Sequence, residues 1–111
     1  MRRNPVLAVK LKNAISRACP NIPVDMAIRN VRINGSAVGA TGFATNKENG
    51  NCVWVSTDNA CCQHAFVYRF AKNTSDHHGG INRWCDSLEE LAANIAAMLA
   101  GSVPNELNRQ P

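Results

Sequence analysis

Aromatic residues are scarce in this chain of 111 residues, which has three Phe, two Trp and one Tyr. Much of its apolar content is Ala, which fills space but buries little area. The core of such a chain is modest. Long apolar runs are missing as well. A membrane-spanning helix needs about 20 consecutive apolar residues, and no run approaches that, so no membrane association is expected. Met1-Arg2-Arg3 has the look of a signal-peptide start, but Lys10, Lys12 and Arg17 interrupt the apolar stretch that should follow, and no signal peptide is expected.

Catalytic patterns are also wanting. No glycine-rich strand-to-helix loop is present to cradle a phosphate: Gly79-Gly80 follows a polar stretch, and the next helix begins several residues later. Carboxylates are few, eight in all, and fall mostly in turns and caps. Cysteines stand near histidines, but no local motif sets a base, an orienting group and an oxyanion donor around one thiol. The expectation is a non-enzyme without a cofactor.

Five cysteines are present: Cys19, Cys52, Cys61, Cys62 and Cys85. The odd count and the adjacent pair argue against a disulfide framework and for reduced thiols in a cytoplasmic protein. Cys61, Cys62, His64, His77, His78 and Cys85 are all zinc-ligand types close in sequence. There is no C-x-x-C among them, and Cys61 and Cys62 in a strand would point to opposite faces. No metal is assigned.

The length suits one domain, expected over residues 1–101, with a polar, flexible tail over 102–111. Asn4-Pro5 reads as an N-cap and first helical position. Leu7, Leu11, Ile15 and Ala18 then recur at helical spacing, and Pro20 and Pro23 end that helix. From Val24 the period becomes two. Strands are expected near 24–33, 37–45, 52–57 and 63–71, with a bulge near Arg29-Asn30 where the inward parity changes. Asn34-Gly35 and Asn49-Gly50 supply turns. In the last strand Phe66, Tyr68 and Phe70 share one face, and Ala65, Val67 and Arg69 the other. Residues 73–83 read as a polar loop. Ser87 with Glu90 fits a capping box. Leu88, Leu91, Ile95 and Leu99 form the stripe of a second helix, closed by Gly101. The predicted fold is α+β: a helix, a three- to four-stranded antiparallel meander and a helix, with both helices on one face of the sheet.

Two surfaces stand out. The net charge is +4, and the first third carries Arg2, Arg3, Lys10, Lys12, Arg17, Arg29 and Arg32 against Asp25 alone. Arg3, Lys10 and Arg17 form one line on the first helix, and Arg29 and Arg32 are expected near it as a patch for an anionic partner. In outline, the helix–meander–helix order resembles the double-stranded-RNA-binding domain. That family opens its last helix with lysines that span phosphates. The same position here, Cys85-Asp86-Ser87-Leu88-Glu89-Glu90, is acidic.

The second surface is apolar. Ala92, Ala93, Asn94, Ala96, Ala97 and Ala100 stand where a surface helix shows charge. Small residues at i and i+4, Ala93 and Ala97 among them, admit a close partner, a second copy or the first helix. Arg83-Trp84 adds two residue types enriched at interface hot spots. The leading expectation is a non-enzymatic protein-binding module, dimeric through the second helix. In size and composition it looks like the small accessory proteins of bacteriophages and mobile elements, some of which inhibit host machinery. The alternative is a nucleic-acid-binding domain using the basic first helix.

Overall fold

A computed structural model describes residues 6–58, 64–76 and 80–101. The elements run α1 (Ala8–Ala18), β1 (Val24–Ile33), β2 (Ser36–Asn46), β3 (Cys52–Ser56), β4 (Phe66–Ala71), β5 (Arg83–Cys85) and α2 (Leu88–Ala100). The strands form one antiparallel sheet in the order β1-β2-β3-β4-β5. This is the expected α+β meander between two helices, with one strand more than predicted. The extra strand, β5, lies within and just beyond the segment read as a polar loop. Three residues are too short a stretch for alternation to register.

Turn chemistry sets the first hairpin. Asn34 and Gly35 have φ of 52° and 83°, the left-handed pair that a two-residue turn needs to match strand twist. The register shift falls between Val31 and Arg32, opposite β2, which carries Val38 as its extra residue. It therefore lies two residues beyond the expected place. The inward parity of β1 holds through Asn30, because the surplus residue is on the other strand.

Both helices cover the same face. Leu11 and Ile15 of α1 and Leu91, Ile95 and Leu99 of α2 are fully buried. They share one core with Ile28, Ala40, Ala44, Val53, Val55, Phe66, Tyr68, Phe70 and Cys85. Helix α1 lies over β1 and β2, α2 lies over β2, β3 and β4, and the helices also pack on each other. Gly42 permits the close approach of β2 to β1: a Cβ there would run into the Ala27 carbonyl oxygen and come within 2.6 Å of Ile28 Cα.

The helix ends are held by tertiary partners. Asn4, Pro5 and the tail over 102–111 lie outside the described residues. Helix α1 begins after Leu7 without a side-chain cap from its own flank. Instead, the Ala8 N–H donates to Asn30 Oδ1 of β1 at 2.8 Å. At the start of α2, Ser87 Oγ accepts from the Glu90 N–H at 3.3 Å, as the capping-box spacing predicts. At its end, Gly101 is the C-cap, as expected, in an extended conformation with φ −83° and ψ −175°. Asn46 at the end of β2 and Asn49 and Asn51 of the turn that follows bond the last carbonyls. Asn46 and Asn49 Nδ2 each donate to Leu99 O at 3.0 Å. Asn51 Nδ2 reaches Gly101 O at 2.7 Å and Met98 O at 3.2 Å.

Candidate functional site

On the sheet face away from the helices, the register builds cross-strand rows. One runs Ala27, Phe43, Trp54, Arg69, and the next runs Arg29, Thr41, Ser56, Val67, Trp84. At the centre, the Arg69 guanidinium lies 4.8 Å above the Trp54 ring, a cation–π contact. Arg69 is only 5% exposed. It donates to Phe70 O at 3.2 Å and to Asp76 O at 2.9 Å, so residues 72–76 fold back over this part of the sheet. Burial lowers the Arg69 pKa from its ordinary value, while Asp76 opposes that shift. The residues that cover this part of the face come from the loop that follows β4, and alternation within the strand does not reveal the contact.

That face is exposed at both ends, along β1 and at β5, and the large apolar side chain is at β5. Trp84, opposite Val67, is 43% exposed. Its ring centroid is 6.2 Å from that of His64, at an interplanar angle of 34°. His64 Nδ1 lies 3.2 Å from Asp86 Oδ2, and Asp86 Oδ1 accepts from the Ala65 N–H at 2.8 Å. Asp86 thus ties the approach to β4 onto the β5–α2 junction. Arg83 turns to the helix face, where its guanidinium sits 5.2 Å over the Phe70 ring and donates to Ile81 O at 3.0 Å. Ile81, beside the strand, is 55% exposed. Arg83 and Trp84 are therefore adjacent in sequence but leave opposite faces.

The basic residues divide. Arg3 lies outside the described residues. Lys10 and Arg17 are exposed on α1 and, with Leu7, Val9 and Asn13, make an open surface patch along the helix. Arg29 leaves the sheet on the face opposite α1, because Ile28 and Asn30 point toward the helices. Arg32 turns onto the hairpin and donates to Gly35 O at 3.4 Å. The expected gathering of Arg29 with the α1 line is not formed: strand alternation sends neighbours to opposite faces.

On α2, Ala93 and Ala97 are exposed, but Ala92 is buried. Ala96 packs against the core, and Asn94 Nδ2 donates to Tyr68 Oη at 2.7 Å. The neutral face is one line of small residues, narrower than expected, because α2 sits deeper between sheet and α1 than its main stripe alone implies.

Cys19, Cys52 and Cys85 are free thiols and buried. Burial raises all three pKa values, that of Cys85 from 9.0 to about 11. At neutral pH they remain thiols and behave as small apolar residues. Cys61, Cys62, His77 and His78 lie outside the described residues. Among the described residues no three His, Cys, Asp or Glu side chains gather as a metal site, and no helix is long and apolar enough to cross a membrane.

These elements define a two-layer α+β protein: a five-stranded meander backed by two helices, with a tryptophan at its short edge strand. Comparison with protein-family models, with curated proteins and with solved structures gives no match.

Proposed function

We propose that this chain is a non-enzymatic protein-binding module that meets its partner at the β5 edge. The observation that carries the reading is Trp84, 43% exposed on a three-residue edge strand, with Ile81 55% exposed three residues earlier in the chain. Large apolar side chains left wet on a rigid support are the usual anchors of protein interfaces. Trp84 supplies the area, His64 flanks its ring, and the Asp86 contacts hold the local backbone in place. The class of partner is a folded cytoplasmic protein, and the module acts as an inhibitor by occupying its surface, as some small accessory proteins of bacteriophages and mobile elements do.

The test is a photo-cross-linking residue at position 84, in lysate treated with nuclease, beside a second probe at Val9. A discrete adduct at 84 that untagged parent protein competes away supports the reading. Trp84→Ala that melts like the parent yet keeps the partner at full affinity overturns it.

A second reading has its own observation. The α1 surface with Lys10, Asn13 and Arg17 offers two cations to an anionic partner such as nucleic acid. In that case Lys10→Glu with Arg17→Glu abolishes binding, affinity falls steeply with salt, and nuclease removes the captured partner.

A further inference from the structure

The opposite end of the sheet is also an edge. β1 is ten residues long and terminal in the strand order. Among the described residues, no backbone hydrogen bond reaches its outer side beyond the ladder with β2. Asp25, Ala27 and Arg29 are exposed there, and all three leave the face opposite the helices. An open strand of this length is a template for pairing with another strand.

We propose that β1 pairs with β1 of a second copy, antiparallel over residues 24–30, with Ala27 on the two-fold axis. The charges choose that register. An antiparallel pair sets residues of equal face opposite each other. With the axis at Ala27, Asp25 faces Arg29 of the other copy, and by symmetry Arg29 faces Asp25, giving two opposite-charge pairs. On the helix face, Met26 then meets Ile28. Moving the axis to Met26 or Ile28 loses both charge pairs. Moving it to Asp25 or Arg29 sets like charges directly against each other. One self-complementary register is thus favoured, and the disfavoured ones carry repulsion or no pairing. This goes beyond the partner-binding reading and does not depend on it. The two five-stranded sheets join into one, and both β5 edges stay free at its ends, roughly 40 Å apart at the usual strand spacing.

The experiment is sedimentation of the untagged full chain across concentration, with circular dichroism to check folding. The parent should rise from 12.0 kDa toward twice that mass. Asp25→Arg and Arg29→Asp should each weaken dimerisation by about tenfold or more, since each converts both attractive pairs to repulsive ones. The double swap Asp25→Arg/Arg29→Asp should restore it. A register reporter makes the test independent of charge. With oxidised glutathione as oxidant, two thiols of Ala27→Cys should join as a 27–27 disulfide, because paired Cα atoms across the axis lie about 4.5–5.5 Å apart. Arg29→Cys should form no 29–29 bond. A parent that stays at 12.0 kDa at millimolar concentration overturns the proposal. So does a dimer that survives both single charge reversals, a folded double swap that stays monomeric, or a 29–29 disulfide in place of 27–27.

Discussion

Asn51 offers the sharpest test of how the two layers are joined. Its amide has two hydrogens for the end of α2: one meets Gly101 O at 2.7 Å, and the other is shared between Met98 O at 3.2 Å and Leu99 O at 3.3 Å. Leu99 O has two other donors, Asn46 and Asn49, both at 3.0 Å. Removing Asn51 takes its amide from Gly101 O and Met98 O, while Leu99 O keeps two donors. Losing a hydrogen bond of this kind costs roughly 0.5–1.5 kcal/mol. The side chain is only 6% exposed, and the space it vacates adds about 1 kcal/mol. Asn51→Ala is thus expected to cost about 2–4 kcal/mol in equilibrium urea unfolding followed by circular dichroism. Asn49→Ala should cost less than Asn51→Ala, about 1–2 kcal/mol: Leu99 O keeps two donors, but the Asn51 N–H loses Asn49 Oδ1, its acceptor at 2.8 Å. Asn51→Asp keeps the shape but aims a carboxylate at carbonyls and at the negative end of the helix dipole. It should be less stable than Asn51→Ala at pH 7. That environment raises the new carboxyl's folded-state pKa, so its deficit grows as pH rises above roughly 4, the unfolded value, and shrinks below it. An Asn51→Asp protein as stable as the parent at pH 7 would refute the reasoning, as would equal losses for Asn49→Ala and Asn51→Ala.

Three more outcomes follow from the packing. Ile95→Ala should lose about 2–5 kcal/mol by leaving a cavity, whereas Ala97→Arg, on the exposed line of α2, should melt within a few degrees of the parent; a collapse of the latter would mean that Ala97 is packed. Gly42→Ala should lower the melting temperature sharply, because its methyl has no room beside the Ala27 carbonyl and Ile28 Cα, and a parent-like melt would show that β1 and β2 can separate without cost. Above pH 9 stability should fall, since the Cys85 thiol is held neutral up to about pH 11 when folded but ionises from its ordinary value when unfolded. Its contribution is complete below pH 9 and gone above pH 11. Cys85→Ala should show a shallower loss over that window, Tyr68 and the other buried thiols supplying the rest, and an unchanged slope would refute the assignment.

Local signals in the chain determined most of the architecture. The 3.6-residue spacing of Leu11 and Ile15, and of Leu91, Ile95 and Leu99, marks two helices that need one apolar face each to cover. The two-residue period from Val24 marks the strands, and Asn34-Gly35 marks a turn that only adjacent left-handed residues can make. Ser87 with Glu90 caps α2 because donor and acceptor lie within one turn. Each of these depends on neighbours a few residues away, so the chain alone suffices.

What the tertiary structure decided rests on partners far apart in sequence. The end of α2 is held by amides some 50 residues earlier, and the start of α1 by Asn30, 22 residues further on. β5 exists because β4 offers it hydrogen bonds, although three residues carry no periodic signal. The candidate surfaces divide in the same way. Trp84 is recognisable as a residue type, but only the strand pairing turns it outward and sends Arg83 to the other face. Counting charges suggests one basic patch, and alternation along β1 separates Arg29 from Lys10 and Arg17. Composition selects which residues can bind; the pleat and the register decide which of them share a face, because side-chain direction in a sheet is set by hydrogen bonds that no local stretch contains.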